Sequence, residues 1–423
     1  MSLRVLIVTG LYPPNAPTAT VRVPKFARFL LDRGHDVSVL SALNLQFPAA
    51  VDPEIPADRI AAVPYVRRGR SAPLTEADTT HGAPVAAVGA APGHGGLRRL
   101  VWQLAYLPDP HVTWIDPAVA EGVRLARNRR PDVIFSSGPP HSSHIVASRL
   151  ARALHVPFVA ELRDLWADNI YGNAATLANV VDRWLEWRVL RRAAALVAVT
   201  EGSASILAGR YGKRVVCAAN GYDPADFDGL AAPAPLDPER LTIVHAGSTY
   251  KGARSPAPLF AALARLRPDP ARLAVHFWGE DSAVAMAMAG EAGVAHLVHA
   301  HPPIDRRTVL GAERAADILL LLRFASEGER HVVAGKLYEY VGARRPILCH
   351  GQQEGEAADI IRRNVLGLVS NDPGTIAEWL QARLAERAAG RLPDLPDGVA
   401  DRYARATQFA KIEQLLAEVS ACA

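Results

Sequence analysis

Apolar residues fall along this chain in short unbroken runs, separated by polar loops and by stretches with helical spacing. Residues 4–8, 36–40, 132–135, 157–161, 195–199 and 215–218 are runs of the kind that a parallel sheet buries on both faces. Helical patterns stand between them over 21–33 and 142–154, through Trp184, Trp187 and Arg191, and after Thr200, which has the residue type of a helix cap. An Ala- and Pro-rich stretch at 231–235 reads as a linker. A second series then opens, with strands at 241–246, 273–277, 318–322, 347–349 and 366–369 and helices at 256–266 and 334–341. Strands alternating with helices in both halves predict an α/β chain of two doubly wound, Rossmann-like parallel-sheet domains. Residues 1–230 form the first, 236–400 the second, and an amphipathic helix within 401–423 is expected to pack back across the junction. Residues 44–115, rich in Pro, Ala and Gly, resist assignment.

At 423 residues the chain exceeds one ordinary core, in keeping with two domains. Its 49% hydrophobic and 21% charged residues mark a globular protein. The formal charge is +4, with +5 over residues 1–230 and −1 over the remainder. That excess is too small for a nucleic-acid footprint, and no zinc-finger, RNP or basic-helix pattern accompanies it, so nucleic acid is not an expected partner. Basic residues stand beside apolar ones at 67–70 and 97–102, a composition that suits peripheral contact with the inner membrane surface. Three scattered cysteines, Cys217, Cys349 and Cys422, imply neither a disulfide framework nor a metal cluster and fit a reducing cytosol. The first apolar run is too short for a signal peptide, and no run has the length of a membrane-spanning helix. The expected location is cytoplasmic, with peripheral attachment at the cytoplasmic face of the membrane allowed.

Candidate chemistry gathers at the ends of strands, where open parallel sheets bind their ligands. The loop after the first strand lacks both G-x-G-x-x-G and the P-loop pattern, so dinucleotide and P-loop chemistry lose their main support. Gly335 and Lys336 fall in the first turn of the 334–341 helix, where unpaired N–H groups and the helix dipole favour an anion such as a diphosphate. Glu339 lies one turn on and can accept hydroxyl hydrogen bonds from a sugar ring. The strand-end loops bring Arg22, His141 and Asp164 from the first domain and Lys251, Arg254 and Arg323 from the second. Plainer roles stay open for each. Lys336 and Glu339 suit an i,i+3 pair, Arg22 a solvated helix start and His141 a helix cap. Asp164 suits a surface pair with Arg163.

Five stretches in this order and spacing resemble GT-B-fold sugar transferases of glycosyltransferase family 4. They are Tyr12-Pro13-Pro14-Asn15 with Arg22 and the later Arg33-Gly34-His35-Asp36-Val37; Ser136-Ser137-Gly138-Pro139-Pro140-His141 with Glu161-Leu162-Arg163-Asp164-Leu165-Trp166; Asn220-Gly221-Tyr222-Asp223; Gly247-Ser248-Thr249-Tyr250-Lys251-Gly252 with Arg254; and Gly335-Lys336-Leu337-Tyr338-Glu339-Tyr340 with Arg345-Pro346-Ile347. The resemblance covers nearly the whole chain apart from 44–115. It implies two lobes facing across a cleft and retaining, metal-independent transfer of a sugar from a nucleoside-diphosphate donor to a glycan or lipid-linked acceptor. No cofactor is implied beyond the nucleotide-sugar substrate, and cell-envelope polysaccharide synthesis is the implied setting. Carried over position by position, Gly247, Lys251, Arg254, Gly335, Lys336 and Glu339 bind the donor. Arg22, His141 and Asp164 face the acceptor, and Lys251, Arg254, His141 and Asp164 are the catalytic set. The sequence departs from the family at two points. His331 stands where the first of two paired glutamates is usual, with Glu327 and Glu329 close by, and Ser248 stands where an arginine often follows the loop glycine. A nucleotide-sugar 2-epimerase and a non-catalytic sugar-binding protein are the alternative readings.

Overall fold

A computed structural model of the chain describes residues 2–14, 16, 20–44, 52–65, 104–167, 177–233, 235–390 and 392–422. The basic–apolar stretches at 67–70 and 97–102, on which membrane contact was expected, lie outside the described residues. Two compact units make up the chain: Met1–Ala219 with Phe409–Ala423, and Asn220–Gln408.

The first unit holds β1 (Arg4–Thr9), β2 (Asp36–Ala42), β3 (Ile60–Val63), β4 (Val133–Gly138), β5 (Phe158–Leu162), β6 (Ala195–Ala198) and β7 (Val215–Cys217). They pair in parallel in the order 3-2-1-4-5-6-7. Around the sheet lie α1 (Arg22–Asp32), α2 (Ile115–Ala126), α3 (Ser142–Leu154), α4 (Leu177–Leu190) and α5 (Glu201–Tyr211). The second unit holds β8 (Leu241–Ala246), β9 (Leu273–Trp278), β10 (Val298–His301), β11 (Ile318–Leu322), β12 (Ile347–His350) and β13 (Gly367–Val369), parallel in the order 10-9-8-11-12-13. Its helices are α6 (Ala257–Leu266), α7 (Ser282–Glu291), α8 (Arg306–Ala315), α9 (Gly335–Ala343), α10 (Glu356–Arg363), α11 (Pro373–Ala389) and α12 (Asp397–Arg402).

The unbroken apolar runs became the strands at the middle of each sheet. β4, β5, β8, β9, β11 and β12 are buried at every position, as sheets covered on both faces require. Sequence patterning missed two of the four edge strands, β3 and β10. Ile60-Ala61-Ala62-Val63 is short and half alanine, and Val298-His299-Ala300-His301 alternates with histidine, so neither stands out as an apolar run. The last helix, α13 (Arg405–Ala421), begins in the second unit, while Phe409, Ile412, Leu415 and Leu416 join the first unit's core beside Phe26 and Val23.

The chain enters the second unit at Asn220, ahead of the Ala- and Pro-rich stretch. Tyr222 holds it there. Its N–H donates to Tyr403 O (3.1 Å), its carbonyl accepts from Arg405 N–H (2.7 Å), and a Cβ on Gly342 would fall 2.4 Å from its ring. The Asn-Gly-x-Asp motif is thus a clasp closed by Arg405, whose Nη1 donates to Asp223 (3.0 Å) and Nη2 to Gly221 O (3.0 Å).

Candidate functional site

Strand order reverses between β1 and β4 in one sheet and between β8 and β11 in the other, and such switch points are where these sheets bind ligands. At the second, β8 runs into Gly247, whose φ of 132° only glycine adopts without strain. The loop that follows is pinned by Asp281 at the end of β9. Its Oδ1 accepts from Thr249 N–H (2.9 Å), and its Oδ2 accepts from Lys251 N–H (3.0 Å) and Ser248 Oγ (2.8 Å). These bonds hold Tyr250 and Lys251 in left-handed backbone at φ 52° and 55°, a conformation costing roughly 1–2 kcal/mol per residue. Partial burial alone would raise the Asp281 carboxyl, but the backbone donors outweigh it and hold it below its ordinary range. Ser248, standing where the family's arginine is usual, therefore braces the loop.

Arg254 rests against an edge-to-face ring pair, its Cζ 4.5 Å from the Tyr250 centroid and 4.5 Å from that of Phe324, the two rings being 5.2 Å apart. These two cation–π contacts hold the guanidinium while leaving its Nε without a hydrogen-bond partner. Lys251 is exposed at the loop tip.

The third component is the start of α9. Ala334 supplies no side-chain cap to the first-turn N–H groups, and no atom lies within 4 Å of a Cβ built on Gly335, so the space beside that residue is open. Lys336 reaches back over the β8 loop, its Nζ 2.4 Å from where a Cβ on Gly247 would stand. Burial lowers the Lys336 ammonium from its ordinary value, with Glu313 and Glu339 pulling the other way. Glu313, on α8, is fully buried, and neither carboxylate oxygen has a hydrogen-bond partner. Burial first, and Glu339 second, push its carboxyl well above the usual range, opposed by Lys336 and Arg306.

Glu339 requires a correction. No i,i+3 pair with Lys336 forms: Oε1 accepts from Arg306 Nη1 (2.9 Å), and Arg306 Nη2 donates to Asp226 (2.9 Å), while Oε2 is left outside this pair. Among the candidates for the missing glutamate, His331 is exposed and Glu327 pairs at the surface with Arg330 (2.7 Å). Glu329 is buried with Oε1 unpartnered and Oε2 3.8 Å from Arg323 Nε. Burial raises its carboxyl, countered by Arg254 and Arg323. Glu329 is therefore the acid that shares an electrostatic environment with Arg254.

The first unit treats its expected site residues differently. Arg22 is buried, with Nε and Nη2 donating to Glu161 Oε1 (3.0 and 2.8 Å), Nη1 to Ala219 O (2.7 Å) and Nη2 to Ala218 O (2.8 Å). Glu161 also accepts from Ser137 Oγ (2.6 Å). Arg22 is thus a buried strut joining α1 to the ends of β5 and β7, and not a solvated helix start. His141 opens α3, stacked flat on Trp166 (5.0 Å, 3°), its Nδ1 buried without a partner. Burial, then His144 and Arg163, hold His141 neutral well below its ordinary pKa. Next to it, His144 Nδ1 meets Ser136 Oγ (2.9 Å), while burial and Arg163 bring its pKa to about 3. Asp164 is exposed in the loop after β5.

Gly247, Lys336 and the uncapped start of α9 therefore lie together within the second unit, with Arg254 in the same electrostatic environment as Lys336 and Lys251 exposed nearby in the loop. Sequence reasoning gave no role to Glu161, the Tyr250–Phe324 ring pair, Glu313 or Asp281. No group of three or more His, Cys, Asp or Glu side chains among the described residues is placed to hold a metal ion. No described helix is long and apolar enough to cross a membrane.

Residues 18–221 match the family model of the glycosyl transferase 4-like domain. Solved structures with the same fold include sucrose-phosphate synthase from Thermosynechococcus elongatus, 14% identical over 100% of both chains at a TM-score of 0.59. A lipopolysaccharide outer core galactosyltransferase is 12% identical over 97% of this chain and 98% of that one, at 0.57. A putative UDP-N-acetylglucosamine 2-epimerase from Listeria monocytogenes is 13% identical over 98% and 95%, at 0.54. No curated protein matches the chain in sequence.

Proposed function

We propose, from the premise that this chain is a GT-B glycosyltransferase carrying a glycosyl transferase 4-like domain, that it moves a sugar from a nucleoside-diphosphate donor to a glycan or lipid-linked acceptor with retention at the anomeric carbon. One observation carries the donor half of this reading. The first turn of α9 has no side-chain cap and open space beside Gly335, with the Lys336 amine reaching back to Gly247 and Arg254 held against the Tyr250 and Phe324 rings. A helix N-terminus flanked by cations suits a diphosphate. It also stabilises the charge that grows there as the donor breaks.

In the proposed step, the bond from the anomeric carbon to the diphosphate oxygen breaks and the bond to the acceptor oxygen forms on the same face. The hydroxyl proton leaves with the nucleoside diphosphate. Charge neutralisation is assigned to Lys336, Arg254, Lys251 and the α9 amides, each donor contributing about 3–4 kcal/mol to the barrier difference. The Glu339–Arg306 pair is assigned to the ribose, the guanidinium orienting the carboxylate so that Oε2 accepts a hydroxyl. His141, neutral and stacked on Trp166, and Asp164 are assigned to the acceptor side. Turnover that survives a metal chelator is part of the proposal. So are cytoplasmic location, in keeping with three cysteines scattered far apart along the sequence, and a role in cell-envelope polysaccharide synthesis.

A thermal-shift screen of UDP-, GDP-, dTDP- and ADP-sugars tests the donor site, because a ligand at 100 times its dissociation constant adds ~2.7 kcal/mol. With the donor found, Lys336→Ala and Arg254→Ala are each expected to lower turnover ~100-fold. The anomeric configuration of the product, read by NMR, tests retention. Unchanged turnover in both variants removes these cations from the mechanism, and donor consumption with no acceptor present points to an epimerase instead.

A further inference from the structure

Of the six large hydrophobic side chains that stand exposed among the described residues, four lie on α4: Leu177, Val180, Trp184 and Trp187, at 56, 64, 49 and 47%. Their spacing of three and four residues gathers them into one stripe along the helix. Single exposed apolar residues need no explanation, whereas a contiguous stripe marks a surface meant to be covered.

Charge is sorted across the same helix. Arg188 and Arg191 share the stripe, their guanidinium carbons 5.0 Å over the Trp184 ring and 4.2 Å over the Trp187 ring, and Arg183 and Arg192 are also exposed. Both carboxylates of α4 are committed to the body of the unit. Asp182 accepts from Trp166 Nε1 (2.8 Å), and the buried Glu186 accepts from Ala167 N–H (2.7 Å) and Arg210 Nη1 (2.8 Å). The outward face is therefore tryptophan, aliphatic and arginine side chains without an acid. Tryptophan is the side chain that settles at a membrane–water interface, and arginine beside it meets lipid phosphates.

We propose that α4 docks this protein on an anionic membrane surface, with Trp184 and Trp187 entering the headgroup layer and Arg188 and Arg191 contacting lipid phosphates. A second copy of the chain fits this face less well, because two copies of an arginine-lined stripe laid on one another would bring like charges together. The proposal stands on this helix alone and does not depend on the transferase reading.

The test is co-sedimentation of the full chain with vesicles of phosphatidylcholine, with and without phosphatidylglycerol, at low and at physiological salt. Binding to the anionic vesicles that weakens with salt is expected. Trp184→Ala with Trp187→Ala, and separately Arg188→Glu with Arg191→Glu, are each expected to weaken that binding at least ~10-fold, at unchanged melting temperature. Wild-type protein that ignores anionic vesicles at low salt overturns the proposal, as do variants that bind like wild type. A wild-type dimer in solution that the tryptophan variant converts to monomer, with vesicle binding unaltered, assigns the face to a second copy.

Discussion

The two sheets share one strand order, yet each treats its own switch point in an opposite way. In the first unit the β1 end is drawn shut. Gly10 N–H donates to Ser143 Oγ (2.9 Å), Asn44 Nδ2 donates to Gly10 O (2.8 Å), and a Cβ on Gly10 would fall 2.7 Å from Pro140. In the same unit Arg22, at the start of α1, is committed to Glu161. In the second unit the corresponding glycine, Gly247, lies under a lysine amine, and the space beside Gly335 at the helix start is open. Strand-end position alone therefore does not make a charged residue a ligand contact. What separates the cases is whether the fold supplies the partner. A buried carboxylate waits for Arg22, whereas aromatic rings hold Arg254 in place without satisfying its Nε.

The largest effect expected from this contrast is on stability. Arg22→Ala leaves Glu161 buried without its counter-charge, and breaking such a pair from one side costs about 3–5 kcal/mol. Urea unfolding reads this directly, with the midpoint shifting and the slope unchanged. A fully stable Arg22→Ala variant whose only defect is a raised acceptor KM would return Arg22 to the acceptor and dissolve the contrast.

Much of this was legible in the sequence, and the parts that were not share a cause. Continuous apolar runs gave both sheets, because a strand buried on two faces leaves no other pattern, and Gly335-Lys336 pointed to an anion site because a helix start without a cap is visible as residue types. The Glu339–Arg306 pair was not visible, since Arg306 lies 33 positions away on α8. Asp281 and Glu313 were hidden for the same reason. Each is one carboxylate in a charged-looking stretch, and only the packing of α7 and α8 reveals that one pins a loop while the other stands buried without a hydrogen bond. Arg22 was misjudged because its partner, Glu161, sits at the inward end of an apolar strand, where a carboxylate is least expected.

Glu313 sharpens the comparison from the other side. Glu313→Leu removes a buried carboxyl that has no hydrogen bond, so the variant should be more stable than wild type by ~1–3 kcal/mol. The sign with pH follows from the direction of its shift. A carboxyl whose pKa is raised on folding holds its proton more tightly when native, so its contribution is fully present below the unfolded-state value and is lost as pH rises toward the folded one. The advantage of the leucine variant should therefore be small in mild acid and grow toward neutral and alkaline pH. Melting temperatures of both proteins across that range provide the check. A gap that shrinks as pH rises would mean that Glu313 is ionised and stabilised in place, as a standing counter-charge to Lys336.

The smallest effect concerns the loop between Gly247 and Arg254. Asp281→Ala frees the N–H groups of Thr249 and Lys251 and releases two residues from left-handed backbone. Three bonds to an ionised acceptor are lost, two of them exposed to solvent, while the relief of backbone strain offsets part of that, so the net change in unfolding free energy should be about 1 kcal/mol. The larger consequence is positional. Tyr250 is one of the two rings that Arg254 packs against, so a loosened loop lets the guanidinium wander, and donor affinity should weaken ~5-fold while melting barely moves. Acid should abolish the difference. A carboxyl held below its ordinary range keeps its stabilising role above the unfolded-state value and loses it as pH falls through the lower folded one, so wild type should approach the variant only in strong acid. Calorimetric titration of nucleoside diphosphate into both proteins gives the affinity ratio. Equal affinities at neutral pH would show that Arg254 keeps its place without the loop, and that the openness of the second switch point comes from α9 and Lys336 alone.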